Sequence, residues 1–448
     1  MAPLLAESEQ RKSELRTSPI EAAANRGPCG TIKPMEARAG PARRRVQAAR
    51  PATTRLAGVD AARGAALLGM MATHLMAIFG PDPAQTPTWV GLVFSGRSAA
   101  LFAVLAGVGL ALSTGRQQPL QGAGLRAARR GVALRAVPIA VVGLFLGGLE
   151  VNIAVILVHY AVLFLCVLPF LGFGAKALAA WAGGWVLLSP VLAFALRPWF
   201  LSAEPPLRLG HNPAMEDLGT PGTLLADILL TGYYPVLQWL SYLLIGLLLG
   251  RLELARTAVR VMVLCIGAAV AATAKLLGNT AILDWGGLQA LEDSVGNPAF
   301  PLESRLQVSL TGVEQSGSWW WLATAAPHSG TTLDLLHTAG VAAAVVAFFL
   351  LLGGLRRPGA PETARWLLPL SGPGAMTLTL YALHVWAVSW FHGEELPAGL
   401  APEAIYLLHA LVAVAIGVLF ALWRRRGPLE WLAHRAAVLG RYRPGASG

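Results

Sequence analysis

Residues 57–79, AGVDAARGAALLGMMATHLMAIF, constrain this chain more than any other stretch. The run is apolar and, at ~1.5 Å per residue, long enough as a helix to cross the ~30 Å hydrocarbon of a bilayer. Three ionisable residues interrupt it: Asp60, Arg63 and His74. At about 100° per residue, Arg63 and His74 nearly eclipse, and Asp60 lies about 60° from Arg63. One stripe of a greasy helix therefore carries an acid, a base and an imidazole. Ionisable groups at membrane depth are costly and normally face polar cavities, so His74, Arg63 and Asp60 are candidate catalytic residues. A plainer reading stays open. Asp60 also suits a helix N-terminus, Arg63 can snorkel to the surface, and a core histidine can hydrogen-bond to a neighbouring helix.

Composition places that helix in a larger set. The 448 residues are 55% hydrophobic and 13% charged, with a mean hydropathy of +0.56. A soluble domain is about 25% charged. The fold class expected is all-α, a polytopic transmembrane helical bundle. Its partner is the lipid bilayer, and its expected location is the cell (cytoplasmic) membrane. Cys29, Cys166 and Cys265 are too scattered for a disulfide framework or a metal cluster, so no metal site is expected. The net charge of +11 reads as topology and anionic-lipid contact. No nucleic-acid motif is present, and no nucleic-acid partner is expected.

About ten spans are expected, near 57–79, 90–113, 132–149, 151–171, 177–197, 223–250, 257–277, 335–354, 366–391 and 403–423. Tyr234-Pro235 is a candidate kink, and SGPG at 371–374 a candidate break. With both termini cytoplasmic, Arg116, Arg126, Arg129, Arg130, Lys176, Arg251, Arg256, Arg356, Arg357, Arg365 and Arg424–Arg426 fall inside. Only Arg208 and Arg305, in long loops, fall outside. That asymmetry is the positive-inside pattern. Residues 1–54 read as a disordered basic cytoplasmic tail lacking a signal-peptide core, residues 55–426 as the membrane domain, and residues 427–448 as a cytoplasmic C-terminal tail. In the outer segment 278–334, Trp319, Trp320 and Trp321 suit an interfacial belt, a re-entrant segment or a stacking platform.

Further polar residues suggest a lined path. Arg126, Arg129, Arg130 and Arg135 cluster at the inner mouth in LRAARRGVALRAVP. Arginine binds phosphate in bidentate fashion, although a positive-inside cluster explains the same residues. Arg97 lies near the outer end of its span, level with His74, where it could orient an acceptor or anchor at the interface. Tyr160, beside His159, and His384, in LYALHVW, sit in apolar surroundings. They suit a substrate cavity or hydrogen bonds between helices.

The spacing Asp60-x-x-Arg63-Gly64, with His74 ten intervening residues after the arginine, resembles the first helix of the acyltransferase-3 family. It also resembles the related heparan-alpha-glucosaminide N-acetyltransferase family. Arg126-Ala-Ala-Arg129 has the form of the Arg-x-x-Arg that acyltransferase-3 proteins associate with CoA, and Arg135 before Pro138 resembles their Arg-x-x-Pro. HYAVLFLCVLPF, YYPVLQWLSYLLIGLLLGRLEL, PHSGT, MTLTLYALHVW and RGPLEWLAHR resemble bacterial proteins with a C-terminal region called domain of unknown function 418. The resemblance implies an acyltransferase taking acetyl-CoA or another acyl-CoA as co-substrate, with no permanently bound cofactor. Arg126, Arg129, Arg130 and Arg135 would meet the donor, His74 would act as base or acyl carrier, and Arg97, Tyr160 and His384 would face the acceptor. The acceptor class implied is an envelope glycan or glycolipid, and a homodimer is a further expected assembly. At the position matching His74, the lysosomal member of the second family has no histidine, so the role of His74 follows from acyltransferase-3 alone. A multi-pass transporter or flippase is the rival reading, against which the lack of an evident repeat counts weakly.

Overall fold

The computed structural model describes residues 56–202, 209–354, 365–390 and 400–441. The expected tail over 1–54, together with Arg208, Arg356 and Arg357, lies outside the described residues.

The described residues form helices and connecting segments, with one isolated bridge between Phe79 and Pro87. Helix α1 spans Ala57–Leu75, followed by α2 (Trp89–Phe94), α3 (Arg97–Ser113), α4 (Gly122–Gly147) and α5 (Leu157–Cys166). Then come α6 (Ala175–Leu201), α7 (Pro221–Ala226), α8 (Val236–Arg251) and α9 (Thr257–Leu283). Two short helices, α10 (Gly287–Val295) and α11 (Leu302–Val308), precede α12 (Thr332–Gly354). The chain closes with α13 (Leu368–Gly374), α14 (Thr377–Ser389), α15 (Pro402–Leu422) and α16 (Pro428–Arg441). An all-α polytopic bundle is the result.

Among the described residues, six helices have the length and apolarity of a membrane span: Trp89–Ser113, Gly122–Gly147, Ala175–Leu201, Thr257–Leu283, Thr332–Gly354 and Pro402–Leu422. Residues Pro221–Thr231 and Val236–Arg251 make a seventh if taken as one span bent by 56°. Pro235 caps the second half, and a proline fixes φ and removes a donor, so the helix must restart there. A break at Ala375-Met376, after Gly374, likewise divides α13 from α14. Helices α5 and α14 are too short to span alone, and α1 is outside the six because its polar stripe lowers its hydropathy. About ten spans are expected from the sequence; among the described residues six helices, or seven with the bent pair, are long and apolar enough to cross a membrane.

Small residues set the closest crossings. A Cβ on Gly340 of α12 would sit 2.6 Å from the Gly267 carbonyl oxygen of α9, and one on Gly267 2.7 Å from that of Gly340. A Cβ on Gly246 of α8 would fall onto the Val104 carbonyl oxygen of α3. Between α1 and α13, a Cβ on Gly374 would strike the Asp60 carbonyl oxygen, and one on Gly64 the Leu370 carbonyl oxygen. Apolar side chains gain little by leaving lipid for one another, so close backbone approach supplies much of the packing.

The segment between α9 and α12 builds its own small core from Leu291, Leu302, Leu306, Leu310, Trp321 and their neighbours. Trp321 is 1% exposed and donates from Nε1 to the Ser316 carbonyl oxygen at 3.0 Å. Trp319 is exposed and lies 4.7 Å from the Phe194 ring, centroid to centroid. The tryptophan run therefore divides its work, with its third member a core residue rather than a belt. At the chain's end, the stretch expected as a tail contains α16, which packs along α4. Gly131 and Gly440 permit that approach.

Arg251 acts as a clamp rather than as a loop charge. Its guanidinium donates to the carbonyl oxygens of Ala111, Thr114, Arg116 and Leu171 and to Thr114 Oγ1, at 2.6–3.3 Å. The carbonyls of Ala111, Thr114 and Arg116 close the end of α3, where helix C-termini leave acceptors unsatisfied, and that of Leu171 belongs to the turn after α5. Arg251→Ala is expected to lower stability by roughly 2–4 kcal/mol, because several charge-assisted bonds are lost at once. A thermal midpoint in detergent that stays at the wild-type value would contradict this.

Candidate functional site

The α1 stripe is real in three dimensions. Arg63 Nη1 donates to Asp60 Oδ1 at 2.9 Å, and Asp60 is 8% exposed. The pair sits where α1 meets α13, so the ion pair and the glycine crossing share one place. Arg63 Nη2 also approaches the Leu105 carbonyl oxygen of α3, at 3.5 Å. An arginine so placed needs both a counter-charge and acceptors, and α1 and α3 supply them.

Arg63 faces a cavity of about 480 Å³ bounded by α1, α3, α4, α5, α14 and α16. This lies within the ~300–1,000 Å³ common for small-molecule sites. Its cationic lining is Arg63, Arg135, Arg426 and Arg441, with His434 beside them. Arg135 is held with its guanidinium 5.5 Å from the centre of the Phe164 ring. The His434 imidazole is held below its usual range, first by burial and then by the guanidinium groups of Arg426, Arg441, Arg135 and Arg435. The phenol rings of Tyr160 and Tyr381 also line the cavity.

His74 does not line the cavity but stands beside residues that do. Met70, one turn earlier, and Tyr381 both line the cavity, and the Tyr381 ring centroid is 6.4 Å from that of His74. His74 Nδ1 lies 3.2 Å from His384 Nε2, with the two rings nearly parallel at 11°. His384 Nδ1 in turn lies 3.1 Å from His409 Nδ1 on α15. His384 is 3% exposed, while His74 and His409 are half-buried. His74 is thus neither sealed among apolar groups nor turned wholly outward.

The other expected residues separate. Arg126 and Arg130 are exposed and do not line the cavity, and Arg129 is used by the Leu168 and Pro169 carbonyl oxygens, both at 2.9 Å. Of that cluster, Arg135 alone is brought to the cavity. Arg97 bonds the Ser95 carbonyl oxygen at 3.2 Å and shares a charged cluster with Asp334 and Lys275, apart from the cavity lining. Asp334 is fixed by the Gly330 N–H at 3.0 Å. Nearby, burial pushes the His328 imidazole down to about 4, so this loop histidine is neutral at pH 7. No group of His, Cys, Asp and Glu among the described residues could hold a metal ion.

Arg441, His434 and His409 were not anticipated, and Arg426 was read only as a topological charge. Ala433, His434, Ala437 and Arg441 recur at helical spacing on one face of α16, a signal present in the sequence. Glu430 of the same helix holds the start of α14, accepting from Leu378 N, Thr379 N and Thr379 Oγ1 at 2.6–3.2 Å. That contact locks the arginine-bearing helix to the helix that carries Tyr381 and His384.

Residues 55–285, just over half of the chain, match the family model for the catalytic region of heparan-alpha-glucosaminide N-acetyltransferase. No curated protein sequence matches the chain.

Proposed function

The chain belongs to the heparan-alpha-glucosaminide N-acetyltransferase catalytic family, and on that premise we propose that it moves an acyl group, acetyl in the simplest case, from acyl-CoA to an acceptor across the membrane. The supporting observation is one cavity lined by four arginines and by Tyr381, whose ring centroid lies 6.4 Å from that of His74. A CoA thioester has an anionic end and a reactive end; this cavity has a cationic wall, and the His74 imidazole lies beside Tyr381 of its lining. Arg135, Arg426 and Arg441 receive the phosphates, since guanidinium forks match phosphate oxygens. The ion-paired Arg63 adds positive potential further along.

In this reading both termini and α16 lie on the cytoplasmic side, where acyl-CoA is available. The acceptor is a hydroxyl or amine of an envelope glycan or glycolipid reaching His74 from the outer face. His74 Nε2 removes the acceptor proton, the acceptor attacks the thioester carbonyl, and CoA thiolate leaves into the cavity. Transient acyl transfer to His74 is the alternative covalent route.

The test is acetyl-CoA binding to purified protein in nanodiscs. Arg135→Ala combined with Arg441→Ala is expected to weaken binding by about tenfold to a hundredfold, at ~1.4 kcal/mol per tenfold, while Arg126→Ala leaves it unchanged. Equal affinity for the double variant and wild type would reject the donor site. Transport of a solute without thiol release from acetyl-CoA would favour a transporter.

A further inference from the structure

Three tyrosines, Tyr160, Tyr234 and Tyr381, cluster at the wall of the arginine-lined cavity, and two of their hydroxyls are already engaged. Tyr234 Oη donates to the Ala154 carbonyl oxygen at 3.2 Å, and Tyr381 Oη donates to the same oxygen at 3.3 Å. A carbonyl oxygen offers two lone pairs, so Ala154 has none left for a third hydroxyl. Tyr160 is that third. It lines the cavity and is 9% exposed, and its hydroxyl has no hydrogen-bond partner among the described residues. A buried O–H without an acceptor costs its full desolvation, so native structures rarely leave one.

The position of Tyr160 is fixed. Its backbone N–H bonds the Ile156 carbonyl oxygen at 3.0 Å in the first turn of α5, and its ring centroid lies 6.3 Å from that of Phe164. Contacts along α4 then give an order. Gly131 lies against Arg441, Arg135 against Phe164, and Gly143 against Val158. On α5, running the other way, Tyr160 falls between Phe164 and Val158. It therefore stands beyond Arg135, on the side away from Arg441. One turn before it are Ile156 and Leu157, and one turn after it is Phe164, all of them apolar and all lining the same cavity.

We propose that Tyr160 is the oxyanion donor, its hydroxyl bonding the thioester carbonyl oxygen of bound acyl-CoA. The inference rests on the acyl-transfer reading above. Phosphates held at Arg441 and Arg135 leave the acyl end to extend along α5 toward this hydroxyl. As the acceptor attacks, its bond to the acyl carbon forms and the carbonyl electron pair moves onto oxygen, where the Tyr160 O–H meets it. That pair returns as the carbon–sulfur bond breaks and the bonding electrons leave on sulfur. The proton that His74 took from the acceptor passes to the departing thiolate. Acceptor and acyl-CoA become acylated acceptor and CoA thiol, and Tyr160 keeps its proton throughout. A donor set in an apolar wall acts more strongly than one in water, and this one has no prior bond to break.

Tyr160→Phe removes the oxygen and keeps the ring. The probe is acetyl-CoA with carbon-13 at the thioester carbonyl, bound to the protein in nanodiscs, and the readout is the infrared band of that carbonyl. The band should lie at higher wavenumber in Tyr160→Phe than in wild type, because the carbonyl has lost its donor; no turnover is needed. Thiol release should show kcat lowered by about a hundredfold to a thousandfold, the effect of removing one oxyanion donor, with a far smaller change in KM for acetyl-CoA. The thermal midpoint should hold or rise, since no bond within the protein is lost. A lowered midpoint would show that the hydroxyl serves the fold, and it or an unchanged kcat overturns the proposal. So does an identical band in the two proteins, the result if the hydroxyl meets only water or a pantetheine amide. Wild type that binds no acetyl-CoA sinks the acyl-transfer reading and this inference with it, whereas binding with an unmoved band sinks the role of Tyr160 alone.

Discussion

His74→Ala is expected to lower thiol release from acetyl-CoA by about a hundredfold to ten-thousandfold, the span of a lost general base. The protein should still insert and keep its thermal midpoint. Alanine is the best helix former, and His74 is half-buried beside other rings rather than packed in the apolar core. The bonds it loses are one to His384 and the edge contact to Tyr381. Acetyl-CoA binding should survive, because the four arginines line the cavity and His74 does not. The expected result is therefore a loss in kcat without a loss in donor affinity. Added imidazole should restore part of the rate by entering the space vacated. Full transfer in the alanine variant would remove His74 from the chemistry.

Gly374→Val is expected to have the largest effect on assembly. Its Cβ would land on the Asp60 carbonyl oxygen, and the same crossing leaves no room at Gly64, whose Cβ would meet the Leu370 carbonyl oxygen. Both obstacles are backbone, which cannot rotate aside as a flexible side chain would. Helices α1 and α13 must separate, at a cost of about 3 kcal/mol or more for overpacking. Separation would also displace Asp60 and with it the ion pair of Arg63, so acetyl-CoA binding should fall along with the thermal midpoint. Gly183→Val is the control, since nothing lies within 4 Å of a Cβ there. A Gly374→Val protein that melts with wild type would show that α1 and α13 do not meet as described.

What could be read beforehand was what depends on local periodicity. Asp60, Arg63 and His74 belong to one helix, and 3.6 residues per turn suffices to put them on one stripe. The same arithmetic, applied to α4, sorts its arginines. Arg126 lies about 180° around the helix from Arg135, whereas Gly131, one turn from Arg135, shares its face. Gly131 and Arg135 both line the cavity and Arg126 does not. Reading that segment as a cluster of charges hid its geometry. The partners of His74 could not be read so, because His384 and His409 are separated from it by hundreds of residues and meet it only through the packing of α14 and α15. The arginines contributed by α16 were obscured for a different reason. A basic, amphipathic C-terminal segment resembles a solvated tail until its glycine contact with α4 is known.

The cavity is a joint product of two distant parts of the polypeptide. Arg63, Arg135 and Tyr160 fall within the family-matched residues 55–285, whereas Tyr381, Arg426 and Arg441 fall beyond them. A polypeptide cut after Leu283, at the end of α9, would keep the signature by which the family is identified and forfeit nearly half of the cavity's walls. Two fragments divided there should each be inert, and co-expressing them should restore function only if α13 finds its glycine seat against α1.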